Sequence, residues 1–189
     1  TPDGFAQKEV GWLLSIGGIT IRHGQALGRD LTLDALCAQH DAVFVAIGLA
    51  GVNVLGVPGE DLQGVESAVD FIERLRQTAD LATLPIGRRV LVIGGGMTAI
   101  DAAVQSRKLG AEEVTIVYRR AQDRMPASAH EQAWAQNNGV LIRTFSIPKA
   151  LHGEHGQVTG ATFAVVRDEN GRLVETGETW QADADTVFK

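Results

Sequence analysis

A single cysteine, Cys37, stands in the 189 residues. One thiol excludes an internal disulfide, a Cys-x-x-Cys redox pair and the four thiolates of an iron–sulfur cluster within these residues. In the helix-like stretch LDALCAQH it is expected to be a small buried packing residue. The one tyrosine, Tyr118, is followed four positions later by Gln122 rather than lysine, which removes the proton donor that a flavin-free reductase needs as hydride arrives. No apolar run approaches the ~20 residues of a membrane helix, and no basic start with an apolar block marks a secretory leader; a cytoplasmic location is expected. A net charge of −6 repels nucleic acid and anionic membrane surfaces, so neither is an expected partner and any phosphate site has to be local. His152 and His155 lie in a stretch without a periodic pattern and lack a third ligand, so no metal site is expected.

What is present is ordinary for a soluble globular chain: 44% apolar and 21% charged residues, and a length that suits one domain, or one domain with part of another. The chain opens on Thr1 and stops at ADTVFK in a strand-like run, which reads as a piece of a longer protein.

Along the chain, Phe5 to Ile16 is helical in pattern, ITIRHG is strand-like, Thr32 caps a helix through Cys37, and Ala42 to Gly48 is an apolar run of buried-strand length. A glycine-rich connection with Pro58 follows. Val65, Ala68, Val69, Ile72, Leu75 and Ala79 then mark one face of a helix over about 65–79. Strand 89–93, a glycine turn, a helix to about Leu109 and strand 114–118 make a βαβ unit, whose right-handed crossover sets the strands parallel. Ser128 with Glu131 is a capping box, Gly139 closes that helix, and strand 140–145 comes next. Asn170-Gly171 sits between two extended runs and predicts a tight hairpin. The fold class expected is α/β: a doubly wound parallel sheet of Rossmann type with an antiparallel hairpin addition.

The segment RRVLVIGGGMTAIDAAVQSRKLGAEEVTIVYRR (residues 88–120) carries the chemistry. Gly94, Gly96 and Ala99 fit G-x-G-x-x-[GA] between a strand and a helix, the context that fingerprint requires. Gly94 permits the tight turn, Gly96 lets backbone approach a pyrophosphate, and Ala99 keeps helix and strand close. The N–H groups of Gly94, Gly95, Gly96, Met97, Thr98 and Ala99, at the positive end of the helix dipole, are the candidate phosphate site. A glycine turn that only packs the helix is the competing reading. The second strand ends not on the acidic residue of an NAD site but on Arg119 and Arg120, with Arg124 beyond. Guanidinium groups suit a 2′-phosphate, so NADPH is the expected cofactor; a solvated basic turn neutralised by Glu112, Glu113 and Asp123 is the alternative.

These segments, with DAVFVAIGLAGVNVLGVPGEDLQGVESAVDFI before them and VTIVYRRAQDRMPAS after, resemble the NADPH-binding half of the glutamate synthase small subunit and its relatives. That group includes the electron-input part of dihydropyrimidine dehydrogenase. The resemblance implies an NADPH- and FAD-containing oxidoreductase in which an FAD domain is interrupted by an NADPH domain. Hydride would pass from NADPH to flavin and electrons onward to 4Fe-4S clusters and a large catalytic subunit or other acceptor. It implies that residues 1–50 are part of an FAD-type α/β domain, 51–62 a connection, 63–182 the NADPH domain, and 183–189 a strand returning to the FAD domain. It also sets Gly48, in Ala46–Gly48, near the flavin. Asp101 matches an aspartate of the family's helix, where a cap or a flavin-side role both fit, and Met97 stands where many relatives have aspartate. The FAD fingerprint and cluster cysteines belong to chain outside these residues, so this piece alone is not expected to turn over, and the apolar surface of residues 1–50 is expected to favour association. Two further readings are a dihydropyrimidine dehydrogenase subunit and a non-catalytic nucleotide sensor.

Overall fold

The computed structural model describes residues 4–48 and 54–189. The chain divides into two units, Thr1–Leu49 and Ala50–Lys189. Residues 49–53, which include the start of the expected connection, lie outside the described residues.

Among the described residues of the first unit are two helices, α1 (Phe5–Ser15) and α2 (Leu33–Gln39). Thr32 caps α2, its hydroxyl accepting from the Ala35 N–H at 3.2 Å. The strands expected at residues 19–24 and 42–48 do not form: a strand exists through a partner's backbone, and no described residue pairs with either run. Their apolar side chains face outward, Phe44 at 92% exposure. None of residues 4–48 is buried. Cys37, expected to pack, is therefore exposed, as is Trp12; α2 has the right pattern for packing and nothing among these residues to pack on.

The second unit opens with β1 (Val65–Glu66) and α3 (Ala68–Gln77). Ser67 caps α3 through the Asp70 N–H, and Phe71 and Ile72 are the buried face. The βαβ unit is β2 (Arg89–Ile93), α4 (Met97–Lys108) and β3 (Glu113–Val117). Then come α5 (Ala129–Asn137), β4 (Leu141–Arg143), β5 (Ser146–Glu154), β6 (Gln157–Glu169), β7 (Arg172–Asp183) and β8 (Thr186–Phe188). The capping box at α5 forms in full: Ser128 Oγ accepts from Glu131 N and Glu131 Oε2 from Ser128 N.

Five parallel strands lie in the order β1-β8-β2-β3-β4, and β5-β6-β7 form a separate antiparallel sheet. Strand side chains alternate between faces, and the two faces of the parallel sheet bury different partners. Val90, Val92, Val114, Ile116 and Phe188 pack with α3, α4 and α5. Leu91, Val117 and Val187, on the opposite face, pack with Leu151, Val158, Ala161 and Phe163 of the antiparallel sheet. The fold is mixed α/β, with the antiparallel part larger than a hairpin addition and covering the second face of the parallel sheet. β5 is the strand that periodicity missed, because Pro148 and Gly153 lie beside two register shifts that break its alternation. It includes His152, whose Nε2 hydrogen bonds to Thr162 Oγ1 at 2.6 Å.

The last residues do not leave this unit. β8 lies inside the parallel sheet, paired with β1 on one side and β2 on the other, and Phe188 is fully buried against Phe71, ring centroids 4.5 Å apart. Three residues, Thr186, Val187 and Phe188, carry too short a pattern to show which sheet they join. Just beyond, Lys189 Nζ meets Glu60 Oε1 at 2.5 Å, with side-chain exposures of 19% and 17%. Glu60 also accepts from the N–H groups of Leu55 and Gly56, each at 2.9 Å. The ammonium group, then these donors, pull the Glu60 carboxyl down from 4.5 to about 2. Because the folded-state pKa is depressed, the stability it contributes is complete above about 4.5 and is lost as pH falls through about 2. Glu60→Gln is expected to cost about 2 kcal/mol at pH 7, less than the full shift implies because the pair is partly solvated. In urea unfolding the gap between wild type and variant should narrow steadily from pH 4.5 toward pH 2; a constant gap would sink this account.

Candidate functional site

At the carboxyl ends of β2 and β3, two loops are tied together. Gly94, at φ +150, makes the turn out of β2 that other residues rarely adopt, and its N–H donates to Val117 O at 3.0 Å. Gly95 is buried, and its carbonyl accepts from Ala127 N at 3.0 Å. A Cβ on Gly95 would lie 2.6 Å from the Tyr118 ring, whereas one on Gly96 would meet no atom within 4 Å. The three glycines thus do three things: turn the chain, admit an aromatic ring, and leave an open approach.

Gly96 begins α4 without a side-chain cap, and the first turn holds no acidic residue. The N–H groups of Gly96, Met97 and Thr98 have no acceptor among the described residues. In the same unit α3 and α5 both begin on a serine cap, so among these three helices the bare amino end is particular to α4. Unsatisfied donors at a helix start, with the dipole behind them, favour an anion. Met97 and Thr98 are exposed and Ala99 is buried against the sheet.

Tyr118 was not expected to take part, yet it joins the two halves of the site. Its ring lies against Gly95, and its hydroxyl donates to Arg124 O at 2.8 Å. This places Arg124 with Arg120 on one cavity of about 490 Å³, shared with Asp168 and Gly171. Arg119 is exposed and does not line it. Among the described residues none of Arg119, Arg120 and Arg124 enters an ion pair, although the chain pairs many of its other cations. Glu112, named above as a neutralising candidate, is instead committed to Arg88 at 2.6 Å. The Arg88 guanidinium holds its carboxyl below the usual range.

Asp101 and Thr98 line a different cleft of about 300 Å³ between α3 and α4, with Glu73 and Arg76. Gly48 belongs to the first unit, where it is exposed with φ +71.

A parallel sheet, a crossover helix with a bare amino end and a glycine turn define a Rossmann-like α/β unit. The chain belongs to the pyridine nucleotide-disulphide oxidoreductase family, which it matches over residues 6–188. It is 36% identical over 160 residues to the NADP(+)-dependent formate dehydrogenase subunit beta of Moorella thermoacetica, covering 82% of this chain and 22% of that protein. Over 166 residues it is 37% identical to the glutamate synthase (NADPH) small chain of Halomonas elongata, covering 82% and 35%. Over 136 residues it is 39% identical to the NAD-dependent dihydropyrimidine dehydrogenase subunit PreT of Escherichia coli O157:H7, covering 72% and 32%. The chain therefore spans between about a fifth and about a third of these relatives' length. Among solved structures, Mycobacterium tuberculosis FprA in complex with NADPH shares the fold at a TM-score of 0.71 and 19% identity, over 99% of this chain and 58% of that one. Thioredoxin reductase from Streptococcus pyogenes matches at 0.53 and 28%, over 73% and 40%. A disulphide reaction cannot run on a cysteine pair of these residues, since Cys37 is alone.

Proposed function

We infer that this chain is the NADPH-binding portion of a flavin-dependent oxidoreductase resembling the glutamate synthase small chain. The observation that carries this reading is the shared cavity of Arg120 and Arg124, two cations without ion-pair partners among the described residues, on a loop that Tyr118 and Ala127 tie to the glycine turn before the uncapped amino end of α4. The N–H groups of Gly96, Met97 and Thr98 hold the pyrophosphate, and the two guanidinium groups hold the 2′-phosphate by charge-assisted hydrogen bonds. Bound NADPH supplies a hydride; these residues fix the dinucleotide so that its nicotinamide end is presented and its phosphates stay anchored.

In the full-length protein the hydride passes to FAD, and electrons go on to iron–sulfur clusters and a larger catalytic subunit. Residues 1–50 are read as a segment of the FAD-type domain, with Gly48 near the flavin. The outward-facing Phe44 and Ile47 are then covered by other strands of that domain. A second reading, a dihydropyrimidine dehydrogenase subunit that uses NADH, draws on the 39% identity to PreT. The relatives' names divide between NADP and NAD, so the cofactor is tested directly. Calorimetric titration of the whole chain with NADPH and NADH at one salt concentration should show NADPH at least ~10-fold tighter, about 1.4 kcal/mol. Equal or NADH-favoured binding would replace the first reading with the second.

A further inference from the structure

The arginine cavity has a second wall that the βαβ unit does not supply. Asp168 and Gly171 reach it from the tip of the β6–β7 hairpin. The hairpin is pinned to the arginine loop through Phe145, whose N–H donates to Arg120 O at 3.4 Å and whose carbonyl accepts from Val166 N at 2.8 Å. Phe145 has φ +52, a conformation that bulky residues rarely adopt and that persists only where the surroundings impose it. Two residues past Val166, Asp168 Oδ1 accepts from the Gly171 N–H at 2.6 Å and closes the turn. The carboxylate is thus fixed by its own hairpin. No ion pair within 4.0 Å joins it to Arg120 or Arg124 among the described residues, so it shares their cavity without neutralising them by contact.

We propose that Asp168 is a specificity-determining residue for the dinucleotide: standing in the same cavity as Arg120 and Arg124, it opposes a doubly charged 2′-phosphate and has no like charge to oppose in a 2′-hydroxyl. It holds down the preference for the phosphorylated dinucleotide that the two arginines create, which keeps that dinucleotide exchangeable. This rests on the 2′-phosphate reading above.

The charge and the turn can be separated. Asp168→Asn removes the charge and keeps an acceptor for Gly171 N, whereas Asp168→Ala removes both. NADPH, NADH and 2′,5′-ADP are titrated into the whole chain at two ionic strengths, with thermal melts to show that each variant is folded. D168N is expected to raise the NADPH-over-NADH preference and the 2′,5′-ADP affinity about 3-fold at low salt, with the gain shrinking at high salt as the charges are screened. A preference unchanged in D168N, or changed only in D168A, overturns the proposal by leaving Asp168 a turn residue. The Arg120→Ala, Arg124→Ala double variant separates the two possible failures. If it loses the preference while D168N does not move it, only the role of Asp168 falls. If the double variant keeps the wild-type preference, the 2′-phosphate reading fails and the Asp168 proposal falls with it.

Discussion

Replacing Arg120 and Arg124 together by alanine is expected to weaken NADPH binding roughly 30- to 100-fold while NADH affinity changes less than about 2-fold. Hydrogen bonds to a charged group contribute about 1.5–3 kcal/mol each, and the lower end applies here because Arg124 is exposed. Two such contacts, discounted below their simple sum for that exposure, give about 2–2.7 kcal/mol, which is the stated range in affinity. The loss should fall on NADPH alone because a 2′-hydroxyl offers no anion for a guanidinium to hold. Replacing Arg119 should matter far less, since it lies outside the shared cavity. Three titrations decide the matter: the double variant, Arg119→Ala and wild type. If Arg119→Ala alone abolishes the preference, the phosphate lies on the other side of the loop and the cavity is not its site. Salt gives an independent check, because the NADPH affinity of wild type should fall faster with ionic strength than that of the double variant.

How much of this was legible beforehand depended on whether each feature was local. The βαβ unit, the capping box of Ser128 and Glu131 and the Asn170-Gly171 turn were readable because each is decided within one continuous stretch of chain. β8 was not, because its partners β1 and β2 lie about a hundred residues earlier and its three residues look the same in any buried sheet. The runs at 19–24 and 42–48 show the reverse failure: their patterns are those of strands, but pairing is a property of two segments and the described residues supply only one. At the site, the fingerprint gives Gly94, Gly96 and Ala99 separate reasons and leaves Gly95 with no more than an N–H at the candidate phosphate site. Its reason lies in Tyr118, more than twenty positions on, and a motif confined to one turn cannot express that contact. The left-handed Phe145 had no signal at all, since nothing in an aromatic residue between Thr144 and Ser146 announces a positive φ.

That contact also gives the prediction with the largest effect on the folded state. Gly95 is absent from the positive-φ glycines, so alanine meets no backbone objection there and any cost is steric. The added methyl would sit 2.6 Å from Tyr118 Cδ2 and 2.7 Å from Cε2. The ring has little room to retreat, being buried and held at its far end by the hydroxyl on Arg124 O. Gly95→Ala is therefore expected to destabilise the protein by about 1–3 kcal/mol, the usual range for overpacking. Dinucleotide affinity should fall more than about 10-fold as the turn shifts away from Ala127 and the bare end of α4. The cause is separable by a double-mutant cycle. Tyr118→Ala by itself is costly, about 3–5 kcal/mol, because it empties a buried ring site; in that background Gly95→Ala should cost almost nothing, giving a coupling of about 1–3 kcal/mol. Urea unfolding of the four proteins measures it. Equal costs of Gly95→Ala in both backgrounds would mean that the middle glycine is required by the bound phosphates or the turn itself. Vanishing of the cost would mean that it is there to seat Tyr118, whose hydroxyl holds Arg124 O beside the cavity that Arg124 shares with Arg120.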